Sequence, residues 1–169
     1  EDMPDRQEVV TDHFSLEYIG NLKPNQNVEA LYQAVSELVI GDPGFAKDFK
    51  LNFTGNVDEY LMEKVCTSFG LQSIVHVRPY LPHQEAVERM VHANMLLFIV
   101  PHAENNRLII TGKLFEYMAS GTPMLSIGPV DGDASQLIAE GNRGPMVDYI
   151  DKEGIKSALR RQYSLWKKD

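Results

Sequence analysis

Short continuous apolar runs alternate along the chain with stretches whose apolar residues recur every three or four positions. The run FSLEYIG, residues 14–20, closes on a glycine and predicts a strand. Residues 25–40 follow, with Val28, Leu31, Val35 and Leu38 at helical spacing. KLNFTG, residues 50–55, predicts a second strand closed by glycine, and 57–69 a helix with Gly70 as its C-cap. SIVHV, 73–77, reads as a third strand, and Pro82 stands where the next helix can open, over 82–93. NMLLFIV, 94–100, is apolar throughout, as a central parallel strand covered on both faces must be. A helix over 111–120, a strand over 123–128 and a helix over 133–140, with Asp133 as its expected N-cap, come next. A strand over 145–150 and a helix over 152–167 complete the pattern.

Strands alternating with helices through short connections predict an α/β fold. The expected form is a doubly wound parallel sheet, Rossmann-like, with right-handed crossovers. The sequence shows no internal repeat or second domain. Residues 1–12 are expected to be a leader or interdomain linker, and residues 13–169 the folded domain. The chain begins with Glu1 rather than Met and stops soon after Trp166, so it is expected to be a piece of a longer protein.

Composition narrows the function. The 169 residues are 43% hydrophobic, enough for a core of ordinary size. A net charge of −8 argues against a general nucleic-acid binder, which needs a basic footprint. The lone cysteine, Cys66, allows no internal disulfide and is expected to be a buried thiol in a reducing, cytoplasmic setting. The N-terminal residues are polar and charged rather than signal-like, and the run MLLFIVP is too short to span a bilayer. The histidines lack ligand-like spacing, so no metal is expected; His83 and His102 are the two worth testing.

In doubly wound sheets, ligands bind beyond the carboxyl ends of the strands. Gly20-Asn21 follows the first strand and Gly55 the second; Arg78, Tyr80 and Leu81 follow the third. Arg107 lies in the long connection after the fourth, and Asp131 and Asp133 follow the fifth. Each glycine serves either a tight turn or the close approach of backbone to a ligand. A GxGxxG run is missing after the first strand, which counts against an ordinary NAD site. The helix opening at Thr111-Gly112 offers unpaired backbone N–H groups, suited to a phosphate or diphosphate, and Lys113 adds a full positive charge. Glu116, one turn further in, suits two readings. It either accepts hydrogen bonds from a vicinal diol such as ribose, or it interacts with its own helix N-terminus.

The motif GKLFEYMASGTPML resembles the nucleotide-sugar-binding half of GT-B glycosyltransferases, especially the retaining enzymes of glycosyltransferase family 4. YIGNLKPNQNVEAL, LNFTGN and the segment from VHVRPYLP to MLLFIVP resemble the family's other segments in the right order, so the resemblance spans nearly the whole chain. It implies that Glu116 binds the donor ribose. Gly20, Asn21, Thr111, Gly112 and Lys113 would border the diphosphate, and Arg78, Tyr80 and Leu81 the nucleobase. Arg107, Asp131 and Asp133 are candidate sugar or phosphate contacts, and no catalytic residue is assigned. Two departures stand out. Asn21 and Gln26 occupy places where many members carry Arg and Lys on the diphosphate, and Leu108 stands where many carry an acid.

The resemblance implies a nucleoside-diphosphate-sugar donor, no metal cofactor, and a glycan or lipid-linked acceptor held by an N-terminal domain outside this chain. A bacterial, cytoplasmic enzyme of cell-surface polysaccharide assembly is the expected context, with the full-length protein peripheral to the inner face of the membrane. The isolated domain is expected to bind nucleotide weakly and to catalyse little. The competing readings are a GT-B-type sugar-nucleotide epimerase and a degenerate, non-catalytic transferase half. A phospho-acceptor receiver is disfavoured, because Gly20-Asn21 and Arg78-Pro79 stand where it needs acids.

Overall fold

The computed structural model describes residues 3, 4 and 10–168; the rest of the expected 1–12 leader, residues 1, 2 and 5–9, lies outside the described residues. The strands are β1 (Phe14–Ile19), β2 (Phe49–Thr54), β3 (Val75–Arg78), β4 (Met95–Ile99), β5 (Met124–Ile127) and β6 (Met146–Val147). The helices are α1 (Glu29–Gly41), α2 (Pro43–Asp48), α3 (Glu59–Phe69), α4 (His83–His92), α5 (Gly112–Ala119), α6 (Asp133–Glu140) and α7 (Lys152–Trp166). The six strands form one sheet in the order β3-β2-β1-β4-β5-β6, every pair parallel. This is the doubly wound arrangement, with its topological switch between β1 and β4.

Each face of the sheet buries its own apolar layer. On one face Leu16, Tyr18, Leu51, Phe53, Leu97 and Ile127 pack against Leu31 and Val35 of α1, Met62 and Val65 of α3, and Ile155 and Leu159 of α7. On the other, Leu96, Phe98 and Met124 pack against Met90 of α4, Leu114 and Tyr117 of α5, and Ile138 of α6. Strand β4, covered on both sides, is apolar throughout, and all five of its residues are buried.

The local differences from expectation have identifiable causes. Helix α1 starts at Glu29, because Pro24–Gln26 form a separate 3₁₀ turn in which the Gln26 side chain accepts from the Lys23 backbone N–H. Helix α2 is an addition: the Asp42 carboxylate caps it by accepting from the Gly44 and Phe45 N–H groups, and Phe45 anchors it in the core. Strand β3 starts two residues late because Ile74 N–H closes a turn onto Leu71 O. At the sheet edge β6 keeps only two residues, since the Asp148 carboxylate turns the chain by accepting from Ile150 N–H. Gly70 caps α3 as expected, in the left-handed conformation at φ 67°. Asp133 is not the N-cap of α6: Gly132 takes that place and Asp133 is the first helical residue. Cys66 is half-buried on α3 rather than fully enclosed, and burial raises its thiol pKa.

Candidate functional site

Strands β1 and β4 pair only at Leu16–Met95 and Glu17–Leu96, so they part before their carboxyl ends. The backbone groups freed by that divergence are taken up by side chains. The Tyr117 hydroxyl, at the centre of α5, accepts from Ile19 N–H at 2.9 Å and lies 3.5 Å from Ile19 O. On the β4 side, the Gln26 amide donates to Ile99 O at 3.2 Å. A crevice thus opens at the switch point with Ile19 N–H and Ile99 O satisfied by side chains, which favours a stable gap in a sheet.

Two loops define the rim. Gly20 leaves β1 at φ 131° and Gly55 leaves β2 at φ 133°, both outside the range of L side chains. The turns stack so closely that a Cβ on Gly55 would stand 2.3 Å from Gly20 O. One on Gly20 would stand 2.1 Å from the Lys113 Nζ. Gly55 is therefore required by packing against the Gly20 backbone, whereas Gly20 is required by its φ, since the end of the Lys113 side chain can swing aside. Across the crevice, His102 N–H donates to Asn25 O at 2.8 Å, and the Asn25 amide returns a bond to His102 O at 3.2 Å. These bonds tie the loop after β1 to the loop after β4. The His102 ring stacks on Tyr149, whose hydroxyl donates to Val100 O.

Lys113 is the charge at the centre. It springs from the first turn of α5, whose apolar residues lie in one core layer, and reaches the ring of Tyr18, which lies in the other. Its ammonium stands 4.2 Å from the Tyr18 ring centroid. Burial lowers its pKa to about 8, against the upward pull of the Glu116 carboxylate. Helix α5 begins without a side-chain cap: the Thr111 hydroxyl makes no capping bond, and its first turn holds no acid. The space beside Gly112 is open, with no atom within 4 Å of where a side chain would begin. Glu116 is half-buried three residues beyond Lys113. The structure thus places Gly20, Lys113, the open start of α5 at Thr111-Gly112, and Glu116 around one crevice. An uncapped helix N-terminus with an ammonium beside it is an arrangement that receives an anion.

The other sequence candidates sit further along the same edge. Arg107 pairs with Asp131 at 3.1 Å, both side chains exposed, which joins the loops after β4 and β5. Asn21 is exposed, and its carbonyl accepts from the Tyr18 hydroxyl at 2.9 Å. Gln26 is buried and committed on both ends of its amide, so it does not stand in for a diphosphate-binding Lys. Arg78 lines a cavity of about 480 Å³ with Gly55 and residues of α3, whereas Leu81 lines another of about 350 Å³ with Glu17 and Arg89. Tyr80 is exposed, and so is Asp133 at the start of α6. The three nucleobase candidates therefore do not converge on one cavity.

Sequence reasoning passed over Tyr18 and Tyr117. Both are buried. Their hydroxyls, though, end on backbone at the crevice. The signal available was the polar group itself, since a buried Tyr needs a partner.

A comparison with curated protein sequences finds no match. Among solved structures, the chain superposes on WaaG, a glycosyltransferase involved in lipopolysaccharide biosynthesis, with a TM-score of 0.70 at 19% identity, over 90% of this chain and 38% of that one. The C-terminal domain of the glycosyl transferase group 1 family protein LpcC from Francisella tularensis gives 0.66 at 14% identity, over 89% and 75%. Anabaena Alr3699/HepE, solved in complex with UDP, gives 0.64 at 16% identity, over 89% and 40%. The chain thus spans well under half the length of WaaG and HepE, and its fold is that of the C-terminal domains of GT-B glycosyltransferases. The family model "Glycosyl transferases group 1" matches residues 13–164, through every strand and nearly all of α7, and the chain belongs to that family.

Proposed function

We propose that this chain is the donor-binding half of a retaining glycosyltransferase. The observation that carries the reading is the Lys113 ammonium, held at the strand gap beside the Gly20 turn and the uncapped first turn of α5. A nucleoside diphosphate supplies the matching charge. Its diphosphate lies against the α5 N-terminus and Lys113, and its ribose hydroxyls donate to Glu116. Its base lies along the loop after β3, on the Arg78 side or the Leu81 side, since those two residues line separate cavities. Arg107 and Asp131 lie toward the sugar; their exposed ion pair is worth only about 0–1 kcal/mol, so a ligand can readily take either partner.

In the reaction, an acceptor hydroxyl oxygen bonds to the anomeric carbon on the face that the diphosphate leaves, as the bond to the diphosphate oxygen breaks, and the hydroxyl proton passes to the departing diphosphate oxygen. The departing diphosphate keeps the electron pair. Fixed N–H dipoles and Lys113 stabilise that developing charge without a metal and without reorganising. The acceptor belongs to the half outside this chain, in cell-surface glycan assembly. Leu108, Ile110, Phe115 and Val130 expose apolar side chains on the loops and helix around the crevice, an edge this reading assigns to that half.

The test is calorimetric or NMR titration of the chain with UDP, GDP and ADP, repeated with Glu116→Ala. One nucleotide should bind, and the variant should lose most of that affinity. Binding that survives the substitution would remove Glu116 from the ribose. No binding to any of the three at millimolar concentration, in this chain or in the full-length protein, would favour a degenerate half.

A further inference from the structure

Lys113 carries the positive charge of the site, yet no ion pair or hydrogen bond holds its ammonium among the described residues. A lysine side chain has four rotatable bonds, and left free it would spread its charge through solvent. Here it is confined between two surfaces. Below it lies the ring of Tyr18, 4.2 Å from the centroid. Beside it lies Gly20, whose missing side chain makes the room it occupies. Tyr18 itself is anchored at both ends: it is fully buried, packs against Phe53 with ring centroids 5.9 Å apart, and donates its hydroxyl to Asn21 O at 2.9 Å. A rigid ring thus touches both sides of the crevice, the turn after β1 and the ammonium from α5. A face-on ring attracts a cation without consuming its N–H donors, so those donors stay available to an anion.

We infer that Tyr18 is the positioning residue of this site: its buried ring seats the Lys113 ammonium at the β1–β4 gap, in place for an anion at the first turn of α5. The inference rests on the donor-site reading above. It makes Tyr18 act through Lys113 rather than on the ligand. Without the ring, an anion must immobilise the lysine itself, which weakens binding by about three- to tenfold.

The experiment uses Tyr18→Leu, Tyr18→Phe, Lys113→Ala and the Tyr18→Leu/Lys113→Ala pair, with UDP and GDP as probes. NMR reads the Lys113 ε-methylene protons, which a ring beneath the ammonium shifts upfield. The upfield shift should be present in the wild type, kept in Tyr18→Phe and lost in Tyr18→Leu. Tyr18→Leu should weaken nucleotide binding, Tyr18→Phe should weaken it less, and the double variant should bind no more weakly than Lys113→Ala alone. A folded Tyr18→Leu with unchanged shift or affinity would overturn the proposal while leaving the donor site standing, provided Lys113→Ala and Glu116→Ala still weaken binding. If neither of those weakens binding, the donor-site reading falls and this proposal with it. Should Tyr18→Leu fail to fold, the wild type decides: Lys113 ε-protons at their unstructured-chain position would overturn it.

Discussion

Replacing Lys113 with methionine should stabilise the domain while removing its affinity for nucleotide. The side chain is half-buried, and burial takes its pKa from 10.5 to about 8. A drop of that size corresponds to roughly 3 kcal/mol of unfavourable charge burial at neutral pH. That shift is net of whatever attracts the ammonium in the folded state, so a gain of up to roughly 3 kcal/mol is expected for Lys113→Met, whose unbranched side chain fills much of the same space. The pH dependence carries the proof. Below pH 8 the lysine is charged in both states and the full penalty stands. Between about pH 8 and 10.5 the folded state sheds the proton that the unfolded state keeps, so the wild type gains stability as pH rises. The variant has no such group, and the gap between the two proteins should close across that window. Urea unfolding of both at pH 7 and at pH 10 measures it, with common titrations cancelling in the difference. A variant less stable than the wild type at pH 7, or a difference that does not change with pH, would refute the reasoning.

The same proton governs the ligand. Nucleoside-diphosphate affinity should fall as pH rises from 8 to 10, because binding must then restore the lost charge; isothermal titration in buffers of different ionisation enthalpy should detect the proton uptake. Gly55→Ala puts a methyl group 2.3 Å from Gly20 O at a φ of 133°, which should cost at least about 3 kcal/mol in urea unfolding and displace the Gly20 turn. Tyr117→Phe leaves the buried Ile19 N–H without its acceptor, so stability should fall by about 1–3 kcal/mol and exchange at that amide should accelerate. Asp48 is buried and accepts from Lys167 and Tyr163, which hold its pKa below the usual 3.8. Its stabilisation is present above that value and lost as pH falls through its folded pKa, so Asp48→Asn should flatten the acid limb of the stability curve.

The sequence by itself determined the layers. Apolar runs and helical spacing are local properties, so β1, β2, β4, β5, α1, α3 and α7 fall within a few residues of where the pattern puts them. Helix α2 escaped because six residues are too few for a helical period to show, whereas Pro43 suits a first helical turn and the Asp42 cap with Phe45 in the core secures the rest. The motif around Glu116 was legible too, since the chemistry of Gly112, Lys113 and Glu116 lies within a single helical turn and a half. Only the tertiary structure decided what surrounds it. Tyr18 and Lys113 come together because β1 and β4 are neighbours in the sheet, and because those strands part after two residue pairs. Where parallel strands diverge depends on twist and on the side chains that fill the gap, and no local pattern encodes that. The gap made Tyr117 and Gln26 partners for orphaned backbone at Ile19 and Ile99. It also fixed Gly55 as glycine through contact with the Gly20 backbone, and Gly20 through the turn's φ of 131°. Sequence chooses residues able to satisfy a backbone group or seat a charge; the fold selects the group and the charge they meet.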